Sequence, residues 1–155
     1  MDFSELAATS IADFKEKFLL ILLKSAAKNN VILEKTDNID ALFMQLIAKL
    51  ASSKKSVALL IDEYDSPILY ALHNEELAKA FREIIKSFSF IVKANQEQVA
   101  FVFITGVSAF SKSGLSSGLN NLKNLTMDEQ FFDMCGYTDE EVDDTFKQYI
   151  ELGLS

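Results

Sequence analysis

Glycine is scarce in this sequence and comes late: the five glycines stand at 106, 114, 118, 136 and 153. The first 105 residues contain none, so that stretch cannot hold a glycine-rich loop that cradles phosphate with consecutive backbone N–H groups. Tryptophan is absent, and proline, cysteine, histidine and arginine occur once each. Single copies of Cys135 and His73 exclude an intramolecular disulfide, a CxxC site and a zinc site built from Cys and His alone. Long apolar runs are also lacking. The longest, Phe18 to Leu23, is far too short to span a bilayer, and the acidic residues before it spoil a signal-peptide reading.

What is present is a chain of 155 residues, 49% hydrophobic and 25% charged. That length suffices for one ordinary domain that buries about 70% of the surface its unfolded form exposes. Fifteen basic residues against 23 acidic ones give a net charge of -8. Attraction to phosphate backbones needs a positive surface, so direct nucleic-acid binding is not expected, nor is a membrane partner. The expected compartment is the cytoplasm.

Periodicity predicts the elements. Ser10 with Asp13 reads as a helix start, and Ile11, Phe14, Phe18 and Leu22 carry that helix to about Lys28. Asn38 is an N-cap for a second amphipathic helix, which ends in Ser52, Ser53, Lys54 and Lys55. Val57 to Ile61 is a short uncharged run between turn signals, the pattern of a strand buried on both faces of a parallel sheet. Asn74 with Glu75 and Glu76 opens the longest helical pattern, to about Ala94, and Val99 to Ile104 repeats the buried-strand signature. Strand, helix and strand make a βαβ unit, so the fold class is α/β. Gly106, Gly114 and Gly118 among serines mark a long loop, and Thr138 with Glu141 forms a capping box for a last helix. No internal repeat or second domain is visible, so residues 1–155 read as a single domain. Two strands are too few for a complete doubly wound sheet, and one flank of Val99 to Ile104 lacks a neighbour.

Asp62 and Glu63 follow directly on Val57-Ala58-Leu59-Leu60-Ile61. Ligands of open α/β sheets sit at the carboxyl ends of the strands, so two adjacent carboxylates there face the expected site. This is a Walker B arrangement: the first carboxylate holds Mg2+ through water, and the second orients and polarises the attacking water. The plainer alternative is a strand that ends in charged residues on reaching solvent. Thr105 and Ser108 leave the second strand at the same end, where a hydroxyl can contact a γ-phosphate or that water. The alternative there is a loop whose hydroxyls satisfy their own backbone.

Leu59-Leu60-Ile61-Asp62-Glu63-Tyr64-Asp65-Ser66-Pro67 resembles the Walker B segment of the bacterial AAA-ATPase-like family, AAA+ P-loop ATPases often followed by a PD-(D/E)XK nuclease-like domain. Thr105-Gly106-Val107-Ser108, Phe110-Ser111-Lys112, Ser117-Gly118-Leu119-Asn120-Asn121-Leu122, Leu125-Thr126 and Cys135-Gly136-Tyr137-Thr138 resemble the sensor-1 strand and loop of that family. Ala109 and Ser113-Gly114-Leu115-Ser116 depart from the family's residues. The resemblance covers essentially the whole chain, weakly in the first 55 residues and strongly from 57 to 142. It implies a three-layer P-loop NTPase fold with the Walker B and sensor-1 strands in a short parallel sheet flanked by helices. It also implies ATP and Mg2+ as cofactors, with Asp62 as the metal carboxylate, Glu63 as the water-activating carboxylate, and Thr105 or Ser108 as the sensor-1 polar group.

The P-loop of that family has no counterpart. Gly114-Leu115-Ser116-Ser117-Gly118 has the wrong spacing for G-x-x-x-x-G-K-[ST] and is followed by Leu119. Met1-Asp2-Phe3-Ser4 resembles the end of the family's second strand, so the chain reads as a partial ATPase domain that begins after the P-loop. In AAA+ topology the sensor-1 strand lies between the P-loop strand and the Walker B strand, which leaves the edge of Val99 to Ile104 open to another chain or to self-association. Two functions follow as expectations: a fragment of an ATP-hydrolysing domain with little activity alone, or a non-catalytic interaction module that docks through this edge. A metal-dependent hydrolase using Asp62, Glu63 and Asp65 is a third, opposed by the alternation of side chains along a strand. His73 reads as part of the turn into the long helix, and Cys135 as a small apolar residue. Arg82 reads as a solvated or salt-bridged side chain. The acidic run Asp139, Glu140, Glu141, Asp143 and Asp144 reads as a solvated first turn.

Overall fold

Ser10 accepts a hydrogen bond from the Asp13 amide at 3.2 Å, and the Asp13 carboxylate reaches back to the Thr9 amide at 3.3 Å, which fixes the start of the first helix. In the computed structural model this helix, α1, runs Ile11–Lys28. Residues 1–54, 56–108, 119, 122–131, 133–134 and 136–153 are described. The Asn38 side chain accepts from the Ala41 amide at 3.0 Å at the head of α2, Ile39–Lys54. Strand β1 is Val57–Ile61, and a five-residue helix α3, Ser66–Tyr70, follows it with Pro67 in its first turn. Helix α4, Glu75–Ala94, is capped by Asn74, whose side chain accepts from Leu77 at 3.1 Å. Strand β2 is Val99–Ile104. The predicted helices and strands therefore stand where their periodicity and caps put them; α3 and a 3-10 turn at Phe3–Leu6 are additions.

The described residues fall into two compact units, Met1–Asn121 and Leu122–Ser155. In the first, β1 and β2 pair in parallel from Val57 opposite Val99 to Ile61 opposite Ile104, with a register shift between Val57 and Ala58. On the other flank of β1 the chain start adds a short parallel bridge, Asp2 to Asp62. The Phe3 amide donates to the Asp62 carbonyl and the Asp62 amide to the Met1 carbonyl, both at 2.9 Å. Phe3 carries this bridge into the core. Its ring meets Phe18 and Phe88 edge-on, at centroid distances of 5.4 and 5.7 Å. Phe14 stacks on Phe81 at 4.4 Å, and Phe43 on Phe88 at 4.0 Å. The α1, α2 and α4 stripes thus share one aromatic core, in which offset and edge contacts add to area burial.

One expectation is corrected by this arrangement. Val57, Leu59 and Ile61 are buried, but the alternate residues of the sheet are not: Leu60 is 56% exposed and Phe101 54%. Phe101 and Phe103 lie parallel on that side, 6.4 Å apart. The strands are therefore not buried on both faces among the described residues. The reason is the placement of the helices, since α1, α2 and α4 converge on a single core instead of dividing between two faces of the sheet. The observed class is mixed α/β, a two-stranded parallel sheet with its helices. Among the described residues no strand pairs with the outer edge of β2, and no helix is long and apolar enough to cross a membrane.

The second unit holds a 3-10 turn at Glu129–Phe131 and α5, Asp139–Gly153. The capping box forms as the sequence predicts: the Glu141 amide donates to the Thr138 hydroxyl at 3.2 Å, and the Glu141 carboxylate accepts from the Thr138 amide at 2.9 Å. The Thr138 amide, and after it the Thr138 hydroxyl at 3.1 Å, donate to the Glu141 carboxylate and hold its carboxyl below the ordinary value of 4.5. The predicted loop at 109–118 and Cys135 lie outside the described residues.

Candidate functional site

The two strands end side by side, and the residues after them are tied to each other in a defined order. The Thr105 amide donates to the Ile61 carbonyl at 2.9 Å, which continues the parallel ladder. A regular ladder would next send the Glu63 amide to the Thr105 carbonyl. Instead that carbonyl accepts from Tyr64, at 3.0 Å, and the Glu63 amide donates to the Thr105 hydroxyl oxygen at 3.2 Å. Glu63 is the extra residue, and it turns through the left-handed region with φ 50°. A non-glycine residue there costs about 1–2 kcal/mol, a local strain sustained by the bonds on either side.

Asp62 is held from both flanks. Its backbone bonds to Met1 and Phe3, and its carboxylate accepts the Thr105 hydroxyl proton. Asp62 and Glu63 are exposed and Thr105 is half-buried. An open groove of about 360 Å³ lies against Asp62 and Thr105, lined also by Met1, Asp2, Leu60 and Phe103 among others; Glu63 does not line it. The Asp2 carboxyl in this groove is held below its ordinary 3.8, first by the Ser4 hydroxyl at 2.6 Å and then by the Ser4 amide at 2.9 Å. A larger groove, about 590 Å³ between α1, α2 and α4, carries none of the predicted site residues.

A second knot lies directly behind the first. Tyr64 and Asp65 are buried, at 3% and 2% exposure. The Asp65 carboxylate accepts from the Val107 amide at 3.2 Å, from the Ser108 amide at 2.6 Å and from the Ser108 hydroxyl. The Tyr64 hydroxyl donates to the Ser108 carbonyl at 3.0 Å. Gly106 lies against this pair so closely that a Cβ on it would stand 2.5 Å from Tyr64 Cε1 and 2.7 Å from Asp65 Oδ1.

Of the four predicted site residues, the structure brings Asp62, Glu63 and Thr105 together and gives the Ser108 hydroxyl to Asp65. Asp65 does not join the other two carboxylates. Among the described residues no three Asp, Glu, His or Cys side chains gather as a metal cage, the acidic first turn of α5 included. His73 is exposed before α4 and Arg82 is half-buried on it; neither lines the groove at Asp62. From the sequence Tyr64 and Gly106 carry no separate role at the site, and Asp65 only that of a third metal carboxylate, which alternation along the strand opposes. Asp65 before Ser66-Pro67 has the local composition of a turn, and the partner of its side chain is 43 residues away.

The donor set is oxygen only, from a carboxylate and a hydroxyl. That fits Mg2+, which takes one or two protein carboxylates and fills its remaining positions with water and substrate phosphate. The phosphate-holding donors are a different matter: the sequence holds no G-x-x-x-x-G-K-[ST].

A family model described as "Predicted AAA-ATPase" matches residues 1–116. An uncharacterized protein in the vnfD 5' region of Azotobacter chroococcum mcd 1 is 40% identical to this chain over 96 residues. That stretch is 62% of this chain and 19% of the relative, so the chain matches only a minor part of that protein's length. No solved structure matches. With the match extending over most of the 155 residues, through both strands and the residues that tie them, the chain belongs to the predicted AAA-ATPase family.

Proposed function

We propose that residues 1–155 are a partial AAA-ATPase-like domain of P-loop NTPase type. It would keep the Walker B and sensor-1 half of an ATP site and lack the P-loop half. The observation that carries this reading is the Thr105 hydroxyl, which donates to the Asp62 carboxylate and accepts from the Glu63 amide where two parallel strands end. Mg-ATP bound there would supply a polarised γ-phosphoryl group and a metal to offset its developing charge. Asp62 would hold Mg2+ through water. The Glu63 carboxylate, carried outward by its left-handed backbone, would take the proton of the attacking water. Thr105 is the better of the two sensor-1 candidates, because the Ser108 hydroxyl serves Asp65.

Without backbone amides and a lysine to cradle the β- and γ-phosphates, one metal carboxylate binds nucleotide weakly. The chain alone would therefore hydrolyse little or no ATP, as a bacterial, cytoplasmic protein. Calorimetry with Mg-ATP at micromolar protein is expected to show no binding. Tight binding, with turnover that Glu63→Gln abolishes, would refute the reading.

A second reading is a non-catalytic module that docks another chain, or a second copy, through the Val99 to Ile104 edge. It is favoured by the outer edge of β2, which pairs with no strand among the described residues, and by the exposed Leu60 and Phe101. A clean monomer in size-exclusion chromatography across a wide concentration range, with no recoverable partner, would count against it.

A further inference from the structure

Asp65 occupies the N-cap position of α3, yet its side chain makes no bond to that helix. An aspartate at an N-cap ordinarily accepts from the second or third helical amide. Here Pro67 has removed one of those donors, and the carboxylate turns across the sheet end to the chain leaving β2. It is 2% exposed, and a buried carboxylate is tolerated only when its oxygens are well supplied with donors. Three donors meet it, all from Val107 and Ser108. Gly106 is what allows that approach, since any Cβ there would overlap both Tyr64 and Asp65. The residue on the near side of Gly106 is Thr105, whose hydroxyl lies between the Asp62 carboxylate and the Glu63 amide.

We infer that Asp65 is the positioning residue of the candidate site, holding Gly106 to Ser108 so that Thr105 stays seated between Asp62 and Glu63. It touches neither the groove nor any reacting atom, and acts through the loop it binds. The inference rests on the proposed site for its functional meaning, but the linkage itself is a property of the free chain and needs no nucleotide to be measured.

The test is amide NMR of the full chain with four variants. Thr105→Val removes the acceptor of the Glu63 amide directly and sets the reference displacement of that proton resonance. Asp65→Ala is expected to move the Glu63 amide most of the way to the Thr105→Val position and to speed Val107 and Ser108 amide exchange by about tenfold, as losing a hydrogen bond would. Asp65→Asn, which keeps one acceptor oxygen, is expected to restore part of the shift. Amides in α1 and α4 should keep their wild-type exchange.

A Glu63 amide that stays at its wild-type position while Val107 and Ser108 are released would overturn the inference, leaving Asp65 a tether only. Uniform acceleration across α1 and α4 would overturn it as well, as the mark of a global structural role. Should Asp65→Ala fail to fold, Ser108→Ala decides: it removes one of the three donors, and a smaller Glu63 shift in the same direction supports the inference while no shift refutes it. Failure of Mg-ATP to bind at any concentration would defeat the nucleotide reading and leave these shifts unchanged, so the two failures are distinguishable.

Discussion

Replacing Gly106 by alanine puts one methyl group where the structure has no room. Its Cβ would stand 2.5 and 2.6 Å from two ring carbons of Tyr64 and 2.7 Å from Asp65 Oδ1. Nonbonded carbons rest at about 3.5–4.0 Å, so a relief of about 1 Å is required. Tyr64 is 3% exposed and its hydroxyl is bonded to the Ser108 carbonyl at 3.0 Å, so the ring cannot swing away without giving up that bond. Overpacking in a filled site costs about 1–3 kcal/mol, and a lost hydrogen bond adds about 0.5–1.5 kcal/mol. Gly106→Ala is therefore expected to lose about 2–4 kcal/mol in urea unfolding followed by circular dichroism. Gly153→Ala is the control, because a Cβ there meets nothing within 4 Å. A Gly106→Ala chain within about 0.5 kcal/mol of wild type, the range of an ordinary surface change, would refute the packing argument.

Three further outcomes are expected. Glu63→Gly relieves the left-handed strain while adding unfolded-chain entropy, so it should change unfolding stability by less than about 1 kcal/mol, whereas Glu63→Ile should lose about 1–2 kcal/mol in the same titration. Phe3→Ala opens the aromatic core and should lose about 3–5 kcal/mol, with faster hydrogen exchange at the Asp62 amide that pairs with the Met1 carbonyl. The Glu141 carboxyl lies below its ordinary value when folded, so its contribution to the cap of α5 is present above the unfolded value and is lost as pH falls through the folded one. An NMR titration should give Glu141 a midpoint below 4.5, and Thr138→Ala should return it toward that value.

Elements defined by local chemistry are legible in the sequence. Ser10, Asn38, Asn74 and the Thr138 and Glu141 pair announce helix starts through side chains that bond amides two or three positions on, and all four make those bonds. The strands were legible as uncharged runs, and Asp62, Glu63 and Thr105 as polar residues where such runs end. What covers a strand is a different question. The apolar composition of Ala58, Leu60, Phe101 and Phe103 is the same whether a helix layer lies on them or water does, and the helices of this chain spend their aromatic stripes on one another. The short helix α3 was hidden because Asp65-Ser66-Pro67 has the composition of a turn. That the Thr105 hydroxyl meets Asp62 while the Ser108 hydroxyl meets Asp65 was hidden for a similar reason: both contacts cross more than forty positions, and no local pattern reports them. Glu63 carries no sequence mark of its left-handed backbone, which follows from the register of two strand ends.

The central claim is that the Asp62, Glu63 and Thr105 cluster is the metal-and-water half of a nucleotide site. Residue-resolved NMR of the full chain with millimolar Mg-ATP tests it most directly. Weak, saturable shifts are expected at residues 61–63 and 104–106, and they should vanish in Asp62→Asn while α5 stays unperturbed. Shifts confined to the acidic first turn of α5, or the same shifts in Asp62→Asn as in wild type, would contradict it.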